Sequence, residues 1–306
     1  MSRTFAFLLV LLFHAWACAS GDGYTVERAY FHDAQNKTSI DDVGKIAFLN
    51  YQGDLRLGFA QGATWLRFRI SPTAHSETAP SPNRDNSLTL VAGPYSLDRI
   101  DLYQQINGQW AALTAGDRNF NRSDKCPADL HCFSLKTDSA TQATVYLKIQ
   151  TNGIRLIEAD ITHDNALAVI VGMRIGRIST ALALANGLLV LGIFFFLLHR
   201  TTLLHIYCWF QASVVMAMYA SSGSMAQLFS GLAPETFDNF FNSIQVTRVA
   251  TTVLLGWAVL IQYTPPKIYN YLIAFLLLLS CICLALIATG NTNAALILNF
   301  GIFYVN

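Results

Sequence analysis

Two hydrophobic rhythms divide this chain. From about Gly21 to His163 apolar and polar residues alternate in short runs bounded by Gly, Pro, Asn and Asp, whereas from residue 179 onward apolar residues run on with few breaks. A period of two marks a strand with one buried face, and an uncharged run of about 20 residues crosses a bilayer's hydrocarbon core as a helix. Residues 179–198 form such a run, reaching about 30 Å at the helical rise. The pattern therefore predicts a water-facing β module joined to a bundle built for lipid.

The alternation is clearest in four segments. In Thr64–Ile70, Leu66, Phe68 and Ile70 share one face, and Trp65, Arg67 and Arg69 share the other. Ser87–Val91, Leu97–Tyr103 and Thr144–Thr151 repeat the scheme: Ile100 and Leu102 oppose Asp101 and Tyr103, and Val145, Leu147 and Ile149 oppose Tyr146 and Lys148. No helical stretch of comparable strength lies among them, so residues 21–163 are expected to form an all-β antiparallel sandwich. Ser71–Asn86, rich in Ser, Pro, Thr and Ala, reads as a mobile loop. Residues 164–178 read as a short, tight juxtamembrane connection carrying Gly172, Arg174, Gly176 and Arg177 into the first span. Further apolar runs at 204–222, 243–263, 271–289 and 294–306 predict more transmembrane helices, the last incomplete, as in a fragment or an early-terminated product.

The first residues set the orientation. Arg3, the uncharged core Phe5–Phe13 and the small residues Ala17 and Ala19 around Cys18 make residues 1–19 a signal peptide, expected to be cut after Ala19. An uncut first helix is disfavoured because so short an apolar core spans poorly, and acylation at Cys18 because His14 and Ala15 precede it. Export of the module runs the first span from outside to inside. The 199–203 turn and Pro265, Pro266 and Lys267 then face the cytoplasm, and the 223–242 loop, without Lys or Arg, faces out. Arg174 and Arg177 on the outer side oppose the positive-inside bias, which a translocated domain of this size overrides.

Composition agrees with this division. Only 13% of residues are charged, where a soluble domain carries about 25%, and the apolar excess sits at the N-terminus and after residue 178. A net charge of +1 without a basic cluster argues against a nucleic-acid partner.

Candidate chemistry is sparse. Cys126 and Cys132 lie in the exported module, where an oxidising compartment favours a disulfide worth about 2 kcal/mol for so short a loop. A metal site using His131 and both thiols lacks a fourth ligand. After Asp164 the only carboxylates are Glu235 and Asp238, in a predicted outer loop, whereas cation-coupled transport calls for ionisable groups at membrane depth. Arg248 is read as snorkelling to the interface. His199 and His205, six apart on one expected helix, do not share a face, and Cys281 and Cys283 diverge as small apolar fillers. Neither a nucleophile–base pair, a phosphate loop nor a metal cluster is visible, so no enzyme activity is expected of the residues present and no cofactor is called for. What remains is the sheet face of Trp65, Arg67, Asp101, Tyr103, Tyr146 and Lys148, suited to stacking on a sugar ring and bonding its hydroxyls. A solvated face with Trp65 partly packed under a loop explains the same residues, and the sequence leaves both readings open.

Trp65, Leu66, Arg67, Phe68, then Leu97–Tyr103, then Gly116 and Asp117 with Phe120 and Arg122, then Tyr146, Leu147 and Lys148, followed by Gly172, Gly176, Asn186 and Arg200 around the first span, resemble the bacterial seven-transmembrane receptors with diverse intracellular signalling modules. The resemblance implies a jelly-roll, carbohydrate-binding periplasmic domain on a helical bundle in the bacterial inner membrane. It also implies a signalling dimer and a cytoplasmic diguanylate cyclase, histidine kinase or phosphatase domain that is absent from this chain. The expected function is a receptor for a carbohydrate-like or other small polar ligand. The alternative is a transporter or membrane enzyme with an accessory sugar-binding domain.

Overall fold

The computed structural model describes residues 24–59, 61–73, 87–116, 126, 129–138, 142–151, 153, 155–225 and 233–305. The expected signal peptide (1–19), most of the Ser71–Asn86 loop, and Asp117, Phe120 and Arg122 lie outside these residues. Strands β1 (Tyr24–Asp33), β2 (Leu49–Asn50), β4 (Ala63–Pro72), β6 (Arg99–Ile106), β7 (Gln109–Ala115) and β9 (Ala143–Gln150) form a six-stranded sheet in the order β2-β1-β4-β9-β6-β7. Strands β3 (Leu55–Gly58), β5 (Ser87–Gly93), β8 (His131–Asp138) and β10 (Arg155–His163) form a four-stranded sheet in the order β3-β10-β5-β8. Among the described residues every strand pairing is antiparallel.

The period-two pattern explains why the sheets close on each other. Leu66, Phe68, Ile70, Ile100, Leu102, Leu147 and Ile149 from the larger sheet meet Leu88, Leu90, Ile157 and Ile161 from the smaller in one core. A one-residue slip of β4 would turn its apolar set outward, so burial of this face specifies the register. Ser71 and Pro72, assigned to a loop from composition, instead extend β4 and pair with Thr25 and Tyr24. Cys126 and Cys132 are joined by a disulfide with Cα atoms 5.7 Å apart, which ties the preceding segment to the start of β8. Between β1 and β2 a single helical turn, α1 (Ile40–Val43), carries Val43 into a small apolar cluster outside the main core.

Helix α2 (Asp164–His199) starts where β10 ends, at His163. The stretch 164–178, read from sequence as a connection, is therefore the outer part of the first membrane helix. Its 36 residues reach about 54 Å, well beyond a core of about 30 Å, so the N-terminal turns stand above the span. Then follow α3 (Thr202–Ser221), α4 (Pro234–Leu260), a 3-10 turn (Ile261–Tyr263), α5 (Lys267–Ala288) and α6 (Thr292–Val305). Two expectations change here. Helix α4 begins at Pro234, inside the stretch expected to be an outer loop, because Pro at the first turn gives up no hydrogen bond. The chain also breaks at Arg200, in the left-handed conformation (φ 47°), so His199 and His205 lie on different helices.

Among the described residues four helices are long and apolar enough to cross a membrane: Ala166–His199, Thr202–Ser221, Glu235–Tyr263 and Lys267–Ala288. Leu184, Val190 and Leu197 are each more than 60% exposed on α2, a surface that lipid would cover. Polar contacts hold neighbouring helices together: Gln211 Nε2 donates to Ala185 O at 2.9 Å, and the Ser213 and Thr251 hydroxyls lie 2.7 Å apart. At Gly192 a Cβ would sit 2.6 Å from the Tyr207 ring, so α2 and α3 cross closely there.

Phe68→Ala is expected to destabilise the module by about 3–5 kcal/mol, because it opens a cavity in a fully packed core. Leu113→Ala, on an exposed edge-strand position, is expected to stay within about 0.5 kcal/mol. Urea unfolding of the two variants beside wild type measures the difference.

Candidate functional site

Strand register brings the six predicted face residues together. Trp65 lies opposite Lys148 and Arg67 opposite Tyr146 across β4 and β9, while Asp101 lies opposite Lys148 and Tyr103 opposite Tyr146 across β6 and β9. The face is not an open platform, however. Trp65 is 0% exposed, and with Tyr146 and Val43 it forms a cluster against which Phe31, Ile40, Phe48, Tyr103 and Trp110 pack. Tyr103 stacks on Trp65 with ring centroids 5.6 Å apart, and Trp110 meets Tyr146 edge-on at 5.7 Å. Trp65 is thus unavailable for stacking on a sugar, and the packed alternative holds for it, with α1 completing the cover.

The charged members of the face are also engaged. Lys148 Nζ stands 5.2 Å from the Trp65 ring centroid and the Arg67 guanidinium 4.7 Å from that of Phe48, both within cation–π range. Asp101 is buried and accepts hydrogen bonds from Arg99 Nε at 2.9 Å and Thr114 Oγ1 at 2.7 Å. Burial pushes the Tyr103 phenol up, and the Asp101 charge adds to the effect. Arg67, Tyr103, Lys148 and the edge residue Trp110 keep partial access, so they are the part of the face that a ligand can reach. Sequence reasoning did not single out Trp110.

The cover is held by Asp33. Its Oδ2 accepts from the Thr38 backbone N–H at 2.7 Å, with Asn36 in the left-handed conformation (φ 52°) between them. Burial would raise this carboxyl's pKa, but hydrogen bonds from Thr38, Lys37 and Gln35 outweigh it and hold the group below the usual carboxylate range.

A second polar centre, also unanticipated, lies at one end of the sandwich. Arg155 is 1% exposed, and its guanidinium donates to Thr64 Oγ1 at 3.1 Å, His32 Nδ1 at 3.2 Å and the Gly62 carbonyl at 2.5 Å. Burial lowers its pKa, and the nearby Asp98 charge opposes that shift. Its partners Thr64, His32 and Gly62 all lie more than 90 residues away in the chain, so nothing in the local sequence pattern signals its burial.

The third centre is the junction of module and bundle. Arg174 on α2 pairs with Asp129, just before β8, and at 2.9 Å with Glu158 on β10. The Thr89 hydroxyl of β5 donates to Asp164 in the first turn of α2. Tyr95 packs on Phe237 of α4, and Phe59 meets Phe300 of α6 edge-on at 5.6 Å. His131 stacks on Tyr95 and donates to its carbonyl at 3.2 Å, so its ring is occupied in packing at this junction. Among the described residues no group of three or more His, Cys, Asp or Glu is placed to hold a metal ion.

Residues 26–162 match the family model described as 7TMR-DISM extracellular 2. No curated protein matches the chain. The module is a domain of that extracellular family. With four candidate spans behind it, the chain is a multi-pass membrane protein with an outward-facing N-terminal domain, and it fits a seven-transmembrane receptor with a periplasmic domain.

Trp65→Ala is expected to cost the module about 3–5 kcal/mol, with a clear loss of melting temperature, whereas Arg67→Ala at a half-exposed position stays near wild type. The depressed Asp33 carboxyl contributes stability that is present above its unfolded-state pKa and lost as pH falls through its folded-state pKa. Wild type should therefore lose stability toward acid more steeply than Asp33→Asn, as thermal unfolding across a pH series will show.

Proposed function

We propose that this chain, its module and spans those of a seven-transmembrane sensory receptor, detects a small polar or carbohydrate-like ligand outside the bacterial inner membrane. The observation that carries the reading is the joint between β10 and α2. Strand runs into helix without a linker, and ten residues further on Arg174 returns to Asp129 and Glu158. A shift of β10 against the turn before β8, which carry these carboxylates, acts directly on the helix.

Transmission needs a ligand that binds one arrangement of the module better than another, and coupling energies in such systems run at about 1–3 kcal/mol. The reachable residues Arg67, Tyr103, Trp110 and Lys148 offer hydrogen bonds, cations and aromatic edges for a hydroxylated ligand. The signal passes to a cytoplasmic output domain, a cyclase, kinase or phosphatase, to which catalysis is left. A dimer would bring two such domains together.

A thermal-shift screen of glycans and small polar molecules against the module is expected to return a ligand that raises the melting temperature. In the whole receptor, Arg174→Ala should keep that binding and lose ligand-dependent output. If nothing in the screen stabilises the module, the sensing reading fails; if output in Arg174→Ala follows ligand as in wild type, the joint is not the transmitter.

A further inference from the structure

A cavity of about 980 Å³ lies between the module and the outer parts of α2, α3 and α4. Its lining is divided by chemistry. The helices supply an apolar wall that includes Ile178, Ala181, Leu182, Val214 and Met218, continuous in sequence with the lipid-facing spans. The same helices supply Arg174, Arg177 and Arg248, and the module supplies Arg28 with Asp54, Asp129, Glu158 and Asp160.

These charges are not equally engaged. Arg174 holds Asp129 and Glu158, and Arg28 holds Asp160. Among the described residues Arg177 and Arg248 have no carboxylate within ion-pair distance. Arg248 Nε is moreover buried without a hydrogen-bond partner among those residues. A guanidinium placed beside hydrocarbon and left without an anion is costly, and such residues in membrane spans face partners or cavities. Arg248 therefore does more than reach for the interface: it faces a cavity whose lining also includes Arg177, likewise without a carboxylate partner among the described residues, and an apolar wall.

We propose that this cavity binds a phosphate-bearing membrane amphiphile, its headgroup between Arg177 and Arg248 and its acyl chain along Ala181, Leu182, Val214 and Met218. A phosphate supplies the acceptor oxygens that the guanidinium groups lack, and Arg matches phosphate geometry with paired N–H donors. The acyl chain covers the apolar wall at the edge of the bilayer, where a soluble anion would leave it wet. The bound amphiphile then touches three helices at once, in a cavity that the module also lines.

The test uses the whole chain in a neutral detergent, with native mass spectrometry reading the bound species. Phosphatidylglycerol, a diacylglycerol with the same acyl chains, and glycerol 3-phosphate are the three probes. Phosphatidylglycerol is expected to bind, and the double variant Arg177→Gln, Arg248→Gln to weaken it by about tenfold or more, the scale of lost charge-assisted hydrogen bonds. Arg248→Lys in the Arg177 wild-type background should keep most of the binding, and Arg56→Gln, on β3 outside the cavity lining, should change nothing. Circular dichroism and melting temperature establish that each variant is folded. Equal binding of phosphatidylglycerol by wild type and the folded double variant would overturn the site. So would diacylglycerol binding as tightly as the phospholipid, since the arginines would then play no part. Glycerol 3-phosphate binding as tightly as the lipid would overturn the amphiphile and leave a soluble anion as the ligand. Should the double variant not fold, the single Gln variants read the same loss in smaller steps, and no loss in either overturns the proposal. The lipid titration uses no sensory ligand, so its failure leaves the sensing function standing, and the converse holds.

Discussion

The pairing of Arg174 with Asp129 and Glu158 is the interaction on which the shape of the whole molecule depends. One guanidinium on a membrane helix satisfies two carboxylates of the module, Asp129 in the turn before β8, almost wholly buried, and Glu158 on β10, about one third exposed. A charge left unpaired at a partly desolvated boundary costs several kcal/mol, so the three groups are held together more by the penalty of separation than by the strength of the pair itself. The contact specifies where the helix leaves the sandwich. The junction also has little slack: a Cβ at Gly93 would lie 2.7 Å from the Leu130 side chain, one residue after Asp129.

Each half of the molecule answers to its own solvent. In the module the apolar faces of two sheets turn toward each other, and polar residues meet water or a small covering segment. In the bundle the order is reversed: large apolar residues point outward, while Gln211, Ser213 and Thr251 are buried between helices. Interhelical hydrogen bonds of this kind are worth about 0.6 kcal/mol each, so they select the helix pairing more than they stabilise the bundle. The junction is where both rules apply, which is why charged residues collect there on the module side and apolar ones on the helix side.

Much of this was legible because alternation survives in strands whose one face is fully buried. Strands β4, β6 and β9 could be read, and their outward residues do share one face, as Trp65 opposite Lys148 and Tyr103 opposite Tyr146 show. What covers that face was not legible. Residues 34–48 have no sustained period, and their fold depends on the Asp33 carboxylate and on Asn36 in the left-handed conformation. The burial of Arg155 left no trace either, since its hydrogen-bond partners come from β1, β4 and the turn before β4, distant in sequence. Gly172 and Gly176 made 164–178 look like a connection. Each costs a helix only about 1 kcal/mol, which the ion pairs of Arg174 and the hydrogen bond at Asp164 offset.

A sensor that works through a helix must control the helix's direction as well as its position. One attachment, the peptide bond at His163, would leave α2 free to pivot, and a flexible linker would lose even the position. The second attachment at Arg174 lies about 15 Å along the axis from Asp164. Two fixed points define a line, so relative motion of Asp129 and Glu158 becomes a tilt of α2. Over the remaining length of the helix, about 37 Å from Arg174 to His199, a tilt of about 3° displaces the cytoplasmic end by about 2 Å. Helix shifts of about 1–2 Å are the usual scale of switching at helix interfaces. The Tyr207 ring, seated against Gly192, puts α3 in direct contact with α2 at that level, so a displacement of α2 meets α3 there.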